Sequence, residues 1–265
     1  RKARENPPQC WVLWKKKSNS GTQNLVKITI LNTDPSFDED PASRPAPTAV
    51  GIAGNVFSFI MFFSPLPTFW TIIKRRETGQ FSVVPYVATL LNCLMWLFYG
   101  TSSVAGLMLV LTINAAGVVI ESIYIIIHVL FGDFESRKRT GCYFLGIMVL
   151  YTIVLCCVTQ AVEVNDRVTV VGAICVVIGS IMYSAPMTVI AQVIRDKNVA
   201  NMPLFLSASS LINSVVWTTY GILVEDVFVI IPNGMGVCVC AIQCLVYFYI
   251  SLVAAKRGAS SPPTV

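Results

Sequence analysis

Two asparagines, Asn114 and Asn233, interrupt long apolar stretches of the chain. A carboxamide carries donors and an acceptor without a charge. A hydroxyl group also donates and accepts, so amides suit an uncharged, hydroxyl-bearing ligand in an apolar setting. The competing role is a bond between helices, which averages about 0.6 kcal/mol in a membrane. Residue type alone leaves both roles open. Trp96 and Trp217 offer flat apolar faces that can cover a ligand, with an indole N–H to donate. Such residues also fill cores and interfacial belts. Glu121 is the one acid within an apolar run of spanning length, and His128, seven residues on, shares its helical face. A carboxylate at membrane depth marks a functional site by default, and proton coupling is its obvious task.

Nucleophilic and metal chemistry find no support. His128 is the single histidine, which excludes a multi-histidine zinc site, and no serine–histidine pair with a usable base stands out. Of the nine cysteines, eight lie in apolar runs or at the start of one. Cys238 and Cys240 are separated by one residue, against two to four in zinc knuckles. The cysteines read as small apolar packing residues. No catalytic residue, metal or cofactor is expected.

The elements that must carry these residues follow from composition. Of 265 residues, 55% are hydrophobic and 12% charged, against roughly 25% charged in a soluble domain. The net charge is +5, and residues 1–48 hold 8 basic and 5 acidic residues of it. The remaining charge is no nucleic-acid footprint. A helix needs about 20 apolar residues to cross a bilayer. Seven runs qualify: 49–73, about 82–100, 107–131, 142–162, 168–194, 203–224 and 227–255. Backbone in lipid must satisfy its own hydrogen bonds, so each is read as a helix. Loops 1–2, 3–4, 5–6 and the C-terminus hold ten Lys and Arg; the other three loops hold only Arg167. That bias puts the C-terminus in the cytosol and the N-terminus outside or in a lumen. Residues 1–48, with Lys15-Lys16-Lys17 and Asp34-Pro35-Ser36-Phe37-Asp38-Glu39-Asp40-Pro41, lack any signal-peptide core. They are expected to be a disordered or non-native extension.

Shifted by 121 residues, the chain matches itself at 11 of the 50 positions 51–100. The matches include Pro65 with Pro186, Asn92 with Asn213, Trp96 with Trp217 and Tyr99 with Tyr220. Pro, Asn, Trp and Tyr are not filler in an apolar span. A shift of 119 pairs Asn114 with Asn233. Spans 1–3 and 5–7 are therefore copies, and span 4 is a connector that keeps them parallel. Parallel repeats about an axis along the membrane normal place a substrate site between the halves, near the midplane. The expected fold is an all-α membrane protein, two parallel three-helix bundles joined by a linker helix. Its parts are 49–131, the linker 132–167, 168–255 and a cytosolic tail 256–265.

This plan, with particular residues, resembles the SWEET sugar transporters, most closely their hexose-type plant members. The residues that carry the resemblance are Gly54-Asn55, Ser64-Pro65-Leu66-Pro67, Pro85-Tyr86, Leu91-Asn92-Cys93, Tyr99-Gly100, Thr112-Ile113-Asn114 and Glu121. The second half adds Tyr183-Ser184-Ala185-Pro186, Met202-Pro203, Trp217, Tyr220-Gly221 and Ile231-Pro232-Asn233-Gly234. The resemblance implies a passive, bidirectional sugar uniporter that is not an enzyme and works by alternating access. It implies that Asn114, Asn233, Trp96 and Trp217 bind sugar, and that Met61 and Met182 set a pocket of hexose size. Pro65, Pro85, Pro186 and Pro203 become hinges, and Tyr99, Tyr220 and Asp226 an outer gate. Partners would be a small sugar, membrane lipid and further copies of the chain in an unstated number. The plasma membrane is the expected location, with the vacuolar membrane as the other choice. Because the resemblance implies no ion coupling, Glu121 and His128 are read as structural, and Asn92 and Asn213 as packing. The alternatives fare worse. A Pro-Gln-loop amino-acid transporter would have Gln after its prolines, where this chain has Leu66 and Met187. A seven-helix receptor would show no such halves.

Overall fold

The computed structural model describes residues 44–102, 107–199 and 202–259. Most of the expected N-terminal extension, the tip of loop 2–3 and the end of the cytosolic tail lie outside the described residues. The first helix, α1 (Pro45–Phe63), starts four residues before the apolar run. Pro45 and Pro47 occupy its first turn, where a missing N–H leaves no bond unmade. Pro65 then ends it. Proline cannot donate to the carbonyl four residues back, here that of Met61. The N–H and hydroxyl of Ser64 bond that carbonyl instead, at 3.1 and 2.8 Å. The chain resumes as α2 (Leu66–Arg75). The second half repeats the break. Helix α6 (Arg167–Met182) stops at the residue four before Pro186, and α7 (Ser184–Asp196) follows.

Between them lie α3 (Val84–Ser102), α4 (Met108–Phe131) and α5 (Phe134–Ala161). Helix α5 corrects the expected start of span 4 by eight residues. Its charged opening, Glu135 to Arg139, was read as loop. Asp133 caps it by accepting from the Ser136 N–H at 2.8 Å, a strong start signal that apolarity does not register. Hydrogen bonds from Ser136 hold the Asp133 carboxyl below the usual carboxylate range. Helices α8 (Leu204–Leu223) and α9 (Val227–Ala259) complete the chain. Pro85 and Pro203 head α3 and α8, at the first turn and the N-cap.

Six segments are long and apolar enough to cross a membrane. The seventh crossing, α8, falls short in apolarity because of its hydroxyl residues and Asn213. It packs against both α1 and α9. Ser207, Ser209 and Ser214 are buried there, and Thr218 and Thr219 bond their own i−4 carbonyls at 2.7 and 2.8 Å. This all-helical, multi-pass architecture has matching halves. Helix α4 packs on α1, α2 and α3; α9 packs on α6, α7 and α8. The third span of each half is thus its centre. The halves meet through α1 on α8 and α3 on α6, and α5 packs on α3 and α4. A core of Trp96, Phe98, Tyr99, Val171, Trp217 and Tyr220, among others, lies between them.

Candidate functional site

The halves enclose a cavity of about 370 Å³, within the range of small-molecule pockets. Its lining is paired by the repeat: Met61 with Met182, Phe62 with Tyr183, Asn92 with Asn213, Trp96 with Trp217 and Asn114 with Asn233. Thus all six residues expected to bind substrate come together in one cavity. The central helices α4 and α9 supply the asparagines. Asn114 Nδ2 donates to Val110 O at 2.8 Å, and Asn233 Nδ2 donates to Val229 O at 2.9 Å. Each amide is thereby tied to its own helix in the same way. The tie leaves the amide oxygen and the second N–H for a ligand. Trp96 and Trp217 are buried and stand edge-on to Tyr99 and Tyr220, at 5.4 and 5.3 Å between centroids.

Asn92 and Asn213, read as packing residues, lie at the cavity as well. Both line the cavity, because each lies four residues before its tryptophan on the same helical face. Ser58, Gly179 and Pro232 also line it and were missed by the sequence reading. Ser58 and Gly179 align at the 121-residue shift but differ in type, so self-comparison passes over them.

The Tyr99 hydroxyl donates to Asp226 Oδ2 at 2.7 Å, joining the end of α3 to the start of α9. The other oxygen of Asp226 accepts from the N–H groups of Phe228 and Val229, at 2.9 and 3.3 Å, and so caps α9. Tyr220 is buried, edge-on to Trp217 and close to Gly51. Of the hinge prolines, Pro186 touches the cavity. Pro65 and Pro186 sit at helix breaks, whereas Pro85 and Pro203 start helices.

Glu121 and His128 are both buried. Both ring nitrogens of His128 are engaged, with Phe81 O and with Thr140 Oγ1, each at 3.1 Å. That ties α4 to the loop before α3 and to α5. Glu121 Oε2 has no hydrogen-bond partner among the described residues. Neither residue lines the cavity. Among the described residues no cluster of three or more His, Cys, Asp or Glu is placed to hold a metal.

The chain matches a family model described as "Sugar efflux transporter for intercellular exchange" over residues 48–136 and 169–254. The two matched stretches are the two halves; the linker helix falls between them. The chain is 42% identical over 200 residues to Bidirectional sugar transporter SWEET7b of Oryza sativa subsp. japonica, covering 75% of this chain and 76% of the relative. It is 40% identical over 199 residues to Bidirectional sugar transporter SWEET4 of Arabidopsis thaliana, covering 74% and 79%. The solved structure of a eukaryotic SWEET transporter superposes with a TM-score of 0.74 at 33% identity. The match covers 78% of this chain and 97% of that one.

Proposed function

The chain belongs to the family of sugar efflux transporters for intercellular exchange, and on that premise we propose that it carries hexoses such as glucose passively and in both directions across a membrane. The observation that carries the reading is the cavity between the halves, lined symmetrically by four amides and two indoles. Uncharged donors and acceptors match hydroxyls, and aromatic faces match the C–H surface of a sugar. Met61 and Met182 fill the wall between them and restrict the pocket to a monosaccharide. The protein acts as a carrier and not as an enzyme.

Uptake into proteoliposomes tests this. Labelled glucose is expected to equilibrate and not to concentrate, with a proton ionophore changing the final level little. Accumulation above the external concentration that the ionophore abolishes would overturn the uniport reading and restore Glu121 as a proton carrier. Uptake of amino acids in place of sugars would move the chain to the Pro-Gln-loop class.

Alternating access requires each half to bend. The breaks at Pro65 and Pro186 give two bends at matched depth, and Pro85 and Pro203 free the starts of the neighbouring spans. Pro186→Ala supplies the N–H that can close the α6–α7 break onto Met182 O. Transport is expected to fall several-fold while the amount of protein in the membrane stays near wild type. Transport at the wild-type rate would make the break ornamental. The C-terminus faces the cytosol under the positive-inside rule, and the plasma membrane is the proposed location. Lipid is the solvent for exposed apolar residues such as Leu130, Leu145 and Leu252.

A further inference from the structure

The two walls of the cavity are related by the repeat but are not braced alike. Trp217 Nε1 donates to Ser58 Oγ at 2.9 Å, and Ser58 Oγ donates to Asn213 Oδ1 at 2.8 Å. One buried hydroxyl on α1 thus holds an indole and an amide of the opposite half. Gly54, one turn earlier, admits the indole: a Cβ there would lie 2.9 Å from an indole carbon. On the other wall the positions of Ser58 and Gly54 are taken by Gly179 and Cys175. Gly179 has no hydroxyl to offer Trp96 or Asn92. A side chain there would crowd Pro232, whose Cβ would stand 3.2 Å from the new Cβ. Asn92 Oδ1 is buried without a hydrogen-bond partner among the described residues.

We propose that Ser58 is a positioning residue that presets Trp217 and Asn213 as the rigid wall of the sugar pocket, leaving Trp96 and Asn92 as the adaptable wall that sets which hexose is accepted. The proposal rests on the sugar-carrier reading above. A preset wall spares the ligand the ordering of two side chains on binding. An unbraced amide can turn to present either its oxygen or its nitrogen, so it can follow the differing hydroxyl orientations of hexoses. Its oxygen is buried without a protein partner among the described residues, so a ligand hydroxyl there would satisfy an unmet bond.

The test is zero-trans uptake by purified protein in proteoliposomes, with glucose, galactose and fructose. Ser58→Ala is expected to raise KM for all three sugars together, by roughly 5- to 150-fold, with the maximal rate falling far less. Ser58→Thr keeps the hydroxyl and is expected to return KM most of the way to wild type. Asn92→Ala is expected to change the rank order of the three sugars. In Ser58→Ala combined with Asn213→Ala, the effects on KM are expected to fall short of the product of the single effects, because the two side chains act as a unit. Unchanged KM in Ser58→Ala would overturn the positioning role, as would a Ser58→Thr variant no better than alanine. An Asn92→Ala variant that keeps the wild-type rank order would overturn the adaptable wall. Wild-type vesicles that take up none of the three sugars would instead overturn the carrier reading, and the positioning role with it.

Discussion

Asn114→Ala and Asn233→Ala are each expected to nearly abolish hexose uptake. Both amides point into the same cavity from the central helix of each half, and both are held by one bond to a carbonyl of their own helix, at 2.8 and 2.9 Å. That bond fixes the amide plane, so the remaining donor and acceptor meet the sugar without first being ordered. Alanine leaves sugar hydroxyls facing an apolar wall. Each lost partner in a closed pocket costs about 1–3 kcal/mol, which is roughly 5- to 150-fold in affinity. The freed carbonyls of Val110 and Val229 keep their helical bonds, so folding is expected to survive. The measurement is uptake of labelled glucose, normalised to protein at the membrane and accompanied by a melting curve in detergent. Normal uptake by both variants would reassign the pair to helix contacts and move the site elsewhere in the cavity.

Where their bonds go favours the substrate role proposed for these amides: among the described residues each bonds to a carbonyl of its own helix. The repeat made this pairing legible, because Asn, Trp, Pro and Tyr recur at fixed shifts where apolar residues would recur by composition alone. The same pattern made the helix breaks legible, since a proline forbids one particular bond wherever it stands. Three features escaped. The start of α5 depends on a cap by Asp133, which hydropathy does not weigh. The placement of Asn92 and Asn213 depends on which face of α3 and α8 turns inward, and an amide near the middle of a span looks alike in either role. The brace through Ser58 depends on α1 docking against α8, a contact 159 residues apart in the chain. No comparison of the chain with itself reveals a contact between unlike residues at that separation.

Tyr99→Phe is expected to shift the protein away from the state closed at the Tyr99 end. The Tyr99–Asp226 bond, at 2.7 Å, links the last turn of α3 in one half to the first turn of α9 in the other. A hydrogen bond to a charged group contributes about 1.5–3 kcal/mol, so its loss changes the ratio of closed to open by roughly 10- to 150-fold. A carrier must visit both states, so a bias of that size slows turnover. The phenylalanine keeps the ring that packs edge-on against Trp96 and Phe228, and it leaves Asp226 free to cap α9. Asp226→Ala removes bond and cap together. It is expected to slow transport at least as much and, unlike Tyr99→Phe, to lower the melting temperature, since a lost cap costs about 1 kcal/mol. Spin labels at the exposed Thr101 and Val227 report the separation of the two helix ends. In Tyr99→Phe their distance distribution is expected to gain a longer component that is minor in the wild type. An unchanged distribution would mean that the bond does not latch this end. In that case the slower transport would have to be traced to the neighbouring Trp96, whose indole packs against the same ring.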